Sequence, residues 1–311
     1  MTKYILKRVL ISLATLLIIL FILFLMLEFM PGSPFNDEKL TESQRILLYA
    51  KYGLDQPFFI RFLNYARNML TGDLGVSYVI NKNFAVSGMV IDRLVVSVRI
   101  GLQAMLFGAT IGLIFGIVAA VNHNTWIDTA FSVFSILGVS IPSYVVALGL
   151  IYFVAFKMGL FPILYNINMP GKSSVLPTIS LSMSTIANVA RFTRSEMIDV
   201  LDSDYMLLVR SKGVKGWKVI LHHGIRNAMI PIITVMGPLL VSLLTGSMVV
   251  EKIFAIPGIG SLMVLAITSN DYNVVIACAF IYSALYIITM LIVDILYGVI
   301  DPRIRVAKGA S

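Results

Sequence analysis

The residues able to do chemistry are few, and their spacing argues against most kinds of it. His123, His222 and His223 are the only histidines. The last two are adjacent, so they leave a helix in different directions and do not face one another as helix-spaced metal ligands would. Cys278 is the single cysteine and lies inside an apolar run, which permits no internal disulfide and no cysteine-based metal cluster. It reads as a small buried hydrophobe. No G-x-x-x-x-G-K-[S/T] phosphate loop occurs, so if ATP drives this chain another subunit binds it. Within the long apolar runs the ionisable residues are Glu28, near the end of the first, and Asp294, near the end of the last. Ion-coupled carriers keep a titratable group at mid-depth, because its protonation or cation binding is the coupling step. The near absence of one counts against a secondary transporter and against an intramembrane enzyme. No catalytic residue and no metal site are assigned.

The informative polar segment runs from about residue 192 to 227. It is too long for a bare turn and holds two helix-like pieces. Asp204-Tyr205-Met206-Leu207-Leu208-Val209-Arg210-Ser211-Lys212 stops at Gly213, and Gly216-Trp217-Lys218-Val219-Ile220-Leu221-His222-His223 stops at Gly224. Both mix apolar and basic faces. Such a helix can insert into a groove on a cytosolic partner, or lie at the headgroups with its lysines on anionic lipid. Periodicity leaves both readings open.

These segments hang on long apolar runs. The chain is 58% hydrophobic and 13% charged, with a mean hydropathy of +0.91, whereas a soluble globular chain is roughly a quarter charged. The reading is an all-α polytopic membrane protein with spans at roughly 9–30, 99–121, 129–156, 175–191, 228–250 and 274–300. Val9–Leu27 exceeds the roughly 7–15 apolar residues of a signal peptide and suffices to cross a bilayer, so it reads as a retained first helix. The net charge of +8 is gathered beside the spans and not on a separate polar domain, which fits a membrane topology and not a nucleic-acid footprint. Lys3, Lys7 and Arg8, then Arg191, Arg194, Arg210, Lys212, Lys215, Lys218 and Arg226, then Arg303, Arg305 and Lys308 fall on one side, against Lys157, Lys172 and Lys252 in the two short loops of the other. Both termini are therefore cytoplasmic. The loop 31–98 is left out, since loops beyond about 60 residues cross largely regardless of charge.

The chain divides into a first transmembrane helix (1–30), an external loop with amphipathic helices (31–98) and a core transmembrane domain (99–311) carrying the loop at 192–227. In the external loop one helical piece, Glu42–Tyr52, stops at Gly53. A second begins at Pro57, carries Phe58, Phe59, Phe62, Leu63, Tyr65, Ala66, Met69 and Leu70, and ends before Gly72. Arg61, Asn64, Arg67 and Asn68 fall largely on its other side, so it lies on the outer membrane surface or against the bundle. In the second span Ala104, Gly108, Gly112, Gly116 and Ala120 form a ridge of small residues where another helix can approach closely.

The run Asp204-Tyr205 … Arg210-Ser211-Lys212-Gly213 … His223-Gly224-Ile225-Arg226-Asn227-Ala228-Met229-Ile230-Pro231 resembles the cytoplasmic loop of binding-protein-dependent ABC importer permeases, and in particular the peptide and nickel group. Met30-Pro31-Gly32-Ser33-Pro34, Gly72-Asp73-Leu74-Gly75-Val76-Ser77, Glu251-Lys252-Ile253-Phe254 … Pro257-Gly258-Ile259-Gly260 and Asp294 … Tyr297 … Asp301-Pro302-Arg303-Ile304-Arg305 resemble further motifs of that group, in the same order. Where the generic importer loop reads Glu-Ala-Ala, this chain reads Leu207-Leu208-Val209.

The resemblance implies a type I ABC importer permease fold and a non-catalytic membrane subunit of a bacterial or archaeal cell membrane. It implies a homologous second permease, two ABC ATPase subunits that bind ATP and Mg, and an extracellular peptide-binding protein as partners. Oligopeptides or dipeptides are the implied cargo, with nickel or another small solute, or an ion-coupled carrier, as alternatives. Asp204, Tyr205, Met206, Arg210, Ser211, Lys212, Gly213, Trp217 and His223 would couple to the ATPase, with Met206, Leu207 and Trp217 as its apolar knob. Glu251, Phe254, Pro257, Gly258 and Gly260 would lie at the external gate or binding-protein side. Ser140, Tyr144, Tyr282, Ser283 and Tyr286 are the pathway candidates, and Pro142 and Pro231 bend or begin helices.

Overall fold

The computed structural model describes residues 2–29, 41–51, 55–244 and 248–300. The Met30–Pro34 motif, the stop at Gly53 and the terminal signature Asp301–Arg305 lie outside the described residues. Among those described the chain is helical apart from one isolated antiparallel bridge, Val76 to Ala85. Two compact units form, Met1–Ser97 with Pro257–Leu291 and Val98–Ile256 with Ile292–Ser311.

In the first unit, α1 (Thr2–Glu28) packs on α3 (Phe58–Thr71), while α2 spans Glu42–Lys51. Pro57 precedes α3 and Gly72 closes it at φ 86°, with the Gly72 N–H on the Met69 carbonyl and the Asp73 N–H on that of Asn68. Only glycine takes that left-handed position without a penalty. Phe21 and Phe24 of α1 meet Phe58, Phe62 and Tyr65 of α3 as ring pairs with centroids 5.1–6.3 Å apart. Arg61 does not stay with the polar residues of α3. Its guanidinium donates to both Glu28 oxygens, at 3.1 and 2.6 Å. A carboxylate at the end of an apolar helix needs such a partner, and the planar fork of arginine matches it. The first part of α4 (Val86–Val121), α13 (Ile259–Thr268) and α14 (Tyr272–Ile300) complete this unit around Val86, Val90, Ile259, Leu262, Val274, Ala277 and Cys278.

In the second unit, α4 continues and is followed by α5 (Trp126–Ser140), α6 (Ser143–Leu150) with a π-helical extension Ile151–Lys157, α7 (Pro170–Ser173), α8 (Val175–Leu201), α9 (Asp204–Ser211), α10 (Gly216–Lys218) with a π-helical extension Val219–Ile225, α11 (Arg226–Leu244) and α12 (Met248–Ile253). The expected span at 129–156 is two helices bent by 100°. The Ile141 N–H closes α5 on the Leu137 carbonyl. Pro142, with no N–H to donate, then begins α6. Among the described residues four helices are long and apolar enough to cross a membrane, or five with the bent pair. The remaining expected span is α8, whose 27 residues are ample for a crossing of about 30 Å. It is less apolar than the other spans because it carries Ser180, Ser182, Thr185 and Thr193, which are buried inside the unit, where α5, α6 and α11 cover it. A helix shielded by protein on several sides does not need the composition of one that faces lipid.

The ridge on α4 meets α8. A Cβ added to Gly108 would stand 2.8 Å from the Thr185 Cβ, one on Gly112 2.8 Å from the Ile186 carbonyl oxygen, and one on Gly116 2.5 Å from the Thr193 Cβ. The backbones touch there, as small residues allow. Gly112→Ala is expected to lower the melting temperature in detergent through overpacking worth about 1–3 kcal/mol, and Gly112→Leu to prevent accumulation of folded protein. Wild-type melting of both variants would contradict a closed seam.

Candidate functional site

The module expected on the cytoplasmic side is built from Leu201 to Asn227. Ser203 precedes α9 with extended backbone, and its carbonyl accepts the Met206 N–H at 3.0 Å. Gly213 ends the turn at φ 73°, its N–H on the Arg210 carbonyl, as its place after the basic turn foretells. The amphipathic faces are sorted by burial. Met206 is fully buried, whereas Leu207 is 68%, Leu208 57% and Trp217 55% exposed. Met206 therefore anchors α9 and is not on the projecting knob. Gly224 does not stop the second piece. The chain passes through the π-helical stretch Val219–Ile225 straight into α11, and Gly224 packs closely on α8, where an added Cβ would stand 3.2 Å from the Met197 methyl. Asn227, on the first turn of α11, donates its amide both to the Tyr205 hydroxyl and to the His223 carbonyl, each at 2.9 Å. Arg210 donates to the Leu201 carbonyl at 3.3 Å, and Ser211 to that of Leu208 at 2.9 Å. Asp204, Arg210, Ser211, Lys212 and Gly213 are exposed or partly so. Tyr205 and His223 thus meet at Asn227, a residue whose spacing gave no signal of the role.

Of the pathway candidates, Ser140 and Tyr144 flank the bend at Pro142. Ser140 is exposed and donates to the Ile136 carbonyl at 2.8 Å, and Tyr144 is exposed. Tyr282, Ser283 and Tyr286 are on α14 in the other unit. The Tyr282 hydroxyl is buried, Ser283 donates to the Ala279 carbonyl, and Tyr286 is exposed. Glu251 and Phe254 are buried in the second unit, where the Phe254 carbonyl accepts the Tyr165 N–H at 2.7 Å. Pro257, Gly258 and Gly260 belong to the first unit, where Gly258 precedes α13 and the Ile259 N–H donates to the Ser97 hydroxyl at 2.9 Å. No cluster of three or more His, Cys, Asp or Glu able to hold a metal occurs among the described residues.

Two carboxylates were not foreseen as organising residues. Asp128, buried at the start of α5, is held by Arg194 through Nε–Oδ1 at 2.5 Å and Nη2–Oδ2 at 2.7 Å. Asp271, fully buried in the turn between α13 and α14, accepts the Ser77 hydroxyl at 2.5 Å and the N–H groups of Tyr78, Val79 and Ile80 at 3.3, 3.0 and 3.0 Å. It fixes the segment that follows the Gly72–Ser77 motif, with Asn273 donating to the Val76 carbonyl at 3.0 Å.

The sequence pattern of the binding-protein-dependent transport system inner membrane component family matches residues 112–306, which takes in α8, the cytoplasmic module and α11. The chain belongs to that family. This permease is 40% identical to the dipeptide transport system permease protein DppB of Lactococcus lactis subsp. cremoris over 98% of its own length and 100% of the relative's. It is 38% identical to DppB of Bacillus subtilis, with 99% of each chain covered, and 37% identical to the oligopeptide transport system permease protein OppB of Salmonella typhimurium over 98% and 100%. Among solved structures its fold is similar to the MetNI methionine ABC transporter in inward-facing conformations, with TM-score 0.56, 14% identity, 69% of this chain and 97% of that one. An amino acid ABC transporter bound to histidines matches at TM-score 0.53 and 17% identity, over 77% and 97%. The permease is accordingly a multi-pass inner-membrane protein with the type I importer fold.

The Asp271 anchor has a pH signature. Burial opposes its ionisation, but the Ser77 hydroxyl and the N–H groups of Ile80, Val79 and Tyr78 more than offset this and hold the carboxyl below its usual range. A depressed folded value means that its contribution is present above the unfolded value of about 3.9 and is lost as pH falls through the folded one. Asp271→Asn is expected to speed proteolytic cleavage within residues 72–85 of the permease at neutral pH, by leaving the donors poorly paired at a cost of about 1–3 kcal/mol. The wild type should show the same sensitivity only below about pH 3.9. Equal cleavage of both proteins at neutral pH would contradict the anchoring role.

Proposed function

We propose that this permease, with a homologous second permease, forms the membrane pathway for uptake of dipeptides or oligopeptides delivered by an extracellular binding protein and driven by two ABC ATPase subunits that bind ATP and Mg. The carrying observation is the end-to-end similarity to permeases named for dipeptide and oligopeptide transport. The chain supplies no phosphate loop of its own, so its share of the work is to convert a partner's movement into a change of the pathway. Residues 99–311 form the transport core in this reading, and 31–98 its external attachment.

The cytoplasmic module is suited to that task. Leu207, Leu208 and Trp217 project as an apolar surface, and Arg210, Lys212 and Lys218 add charge around it. Met206 anchors α9 from beneath. A push on α9 reaches α11 through Tyr205 and Asn227, and reaches α8 through the packing of Gly224 on Met197. Closure of the ATPases on ATP would then favour the outward-open state of the pathway, a population shift set by differential contacts. Ser140, Tyr144, Tyr282, Ser283 and Tyr286 are proposed along the pathway. Glu251, Phe254, Pro257, Gly258 and Gly260 are proposed at its external gate on the binding-protein side.

Affinity purification of this chain in mild detergent from its native host is expected to recover a permease of similar size together with phosphate-loop ATPases. Trp217→Ala combined with Leu207→Ala should keep the second permease but weaken retention of the ATPases by roughly 30-fold, the effect of losing an interface hot spot of about 2 kcal/mol. Purification of the chain alone, or full ATPase retention by the double variant, would contradict this reading.

A further inference from the structure

In the second unit α4, α5 and α8 enclose a cavity of about 170 Å³. Phe115, Phe131 and Ile136 give it apolar walls, and Arg191 and Arg194 complete its lining. The two arginines differ. Arg194 is committed to Asp128 by two hydrogen bonds, and its Nη2 also lies 3.3 Å from the His123 Nδ1. Arg191 is exposed and makes no hydrogen bond or ion pair among the described residues. One positive charge of the lining is therefore uncompensated.

The depth of these groups follows from the helices. α4 ends at Val121 and α5 begins at Trp126, so the 122–125 turn marks the cytoplasmic face. At 1.5 Å per residue, Phe115 lies about 9 Å and Ile136 about 15 Å into the bilayer from that face. Gly116 packs on Ala190 and Thr193, so Arg191 leaves α8 at about the depth of Phe115, with Ile136 deeper, and its long side chain reaches up toward the headgroups. We propose that this cavity takes a short segment of an acyl chain of an anionic phospholipid of the inner leaflet, with the lipid phosphate on Arg191.

Charge and shape both select this occupant. A soluble anion has no use for walls of Phe115, Phe131 and Ile136, and a zwitterionic lipid, whose phosphate is already compensated by its own ammonium, gains less from Arg191. An anionic lipid satisfies both, and basic pockets between transmembrane helices on the cytoplasmic side recognise such headgroups. The Arg194–Asp128 pair ties α8 to α5 beside the opening, so the pocket is formed before the lipid arrives. Filling it also restores dispersion contacts that facing apolar side chains otherwise lose. The lipid would thereby brace α8 against α4 and α5 at the end from which the cytoplasmic module extends.

The test is the thermal unfolding of the purified full chain in detergent, with phosphatidylglycerol, phosphatidylcholine of the same chains, or inorganic phosphate added. Phosphatidylglycerol is expected to raise the melting temperature of the wild type, as any ligand of the folded state does, and to appear as a bound adduct in native mass spectrometry. Arg191→Gln, a surface change that leaves the fold intact, should lose most of the shift and the adduct, and Lys215→Gln should keep both. Ser132→Leu, which fills the cavity, should lose the adduct while Arg191 remains. Equal shifts with the two lipids, an equal shift from inorganic phosphate, or an undiminished adduct in Arg191→Gln would each overturn the proposal. So would loss of the adduct whenever the second permease co-purifies, since the sibling chain would then be what covers the cavity.

Discussion

The backbone contact between α4 and α8 is the constraint on which the second unit depends. α8 carries Ser180, Ser182, Thr185 and Thr193 into the interior, and a helix of that composition is poorly suited to face lipid. It must be enclosed. Gly108, Gly112 and Gly116 let α4 approach to backbone distance, and α5, α6 and α11 close the remaining sides. Hydrophobic burial gives no driving force between helices in lipid, so fit and hydrogen bonding hold them. A seam with no slack transmits displacement instead of absorbing it, because packed interiors shift between discrete arrangements. The segment proposed for coupling begins where α8 ends and leads into α11, so in that reading its movement would act on helices already locked together.

Charge follows a second rule. Glu28 is met by Arg61 and Asp128 by Arg194, each through two hydrogen bonds. Asp271 is met by one hydroxyl and three backbone N–H groups. Each carboxylate lies near the end of an apolar helix, and each fastens an element that apolar packing alone would leave free: α3 onto α1, α5 onto α8, and the segment after Ser77 onto the α13–α14 turn. At the buried Asp128 and Asp271, removing the partner leaves a desolvated charge, which is why those contacts can matter more than an exposed ion pair.

Local signals were legible where one residue type decides local geometry. Pro57 and Gly72 bound α3, Gly213 ends the α9 turn, and the fourfold spacing of small residues marks the seam on α4. The failures have a common cause in long-range context. α4 begins at Val86 and not near residue 99, because Asp92, Arg93 and Arg99 read as loop when only the apolar run is followed. The bend at Pro142 was hidden by apolar residues on both sides. Gly224 looked like a stop, yet its partner is Met197, and the burial of Met206 depends on what lies beneath α9. Asp271 meets Ser77 across 194 positions of sequence, a separation at which a single sequence carries no pairing signal.

In the mechanism proposed above, this chain is the pathway subunit of an ATP-driven peptide importer. That role is tested most directly by reconstituting the purified complex in liposomes with its binding protein outside and ATP inside, and following entry of a labelled dipeptide. Accumulation that requires ATP and the binding protein, and that persists when ionophores dissipate ion gradients, is the predicted result. Uptake without ATP that collapses with the proton or sodium gradient would contradict it.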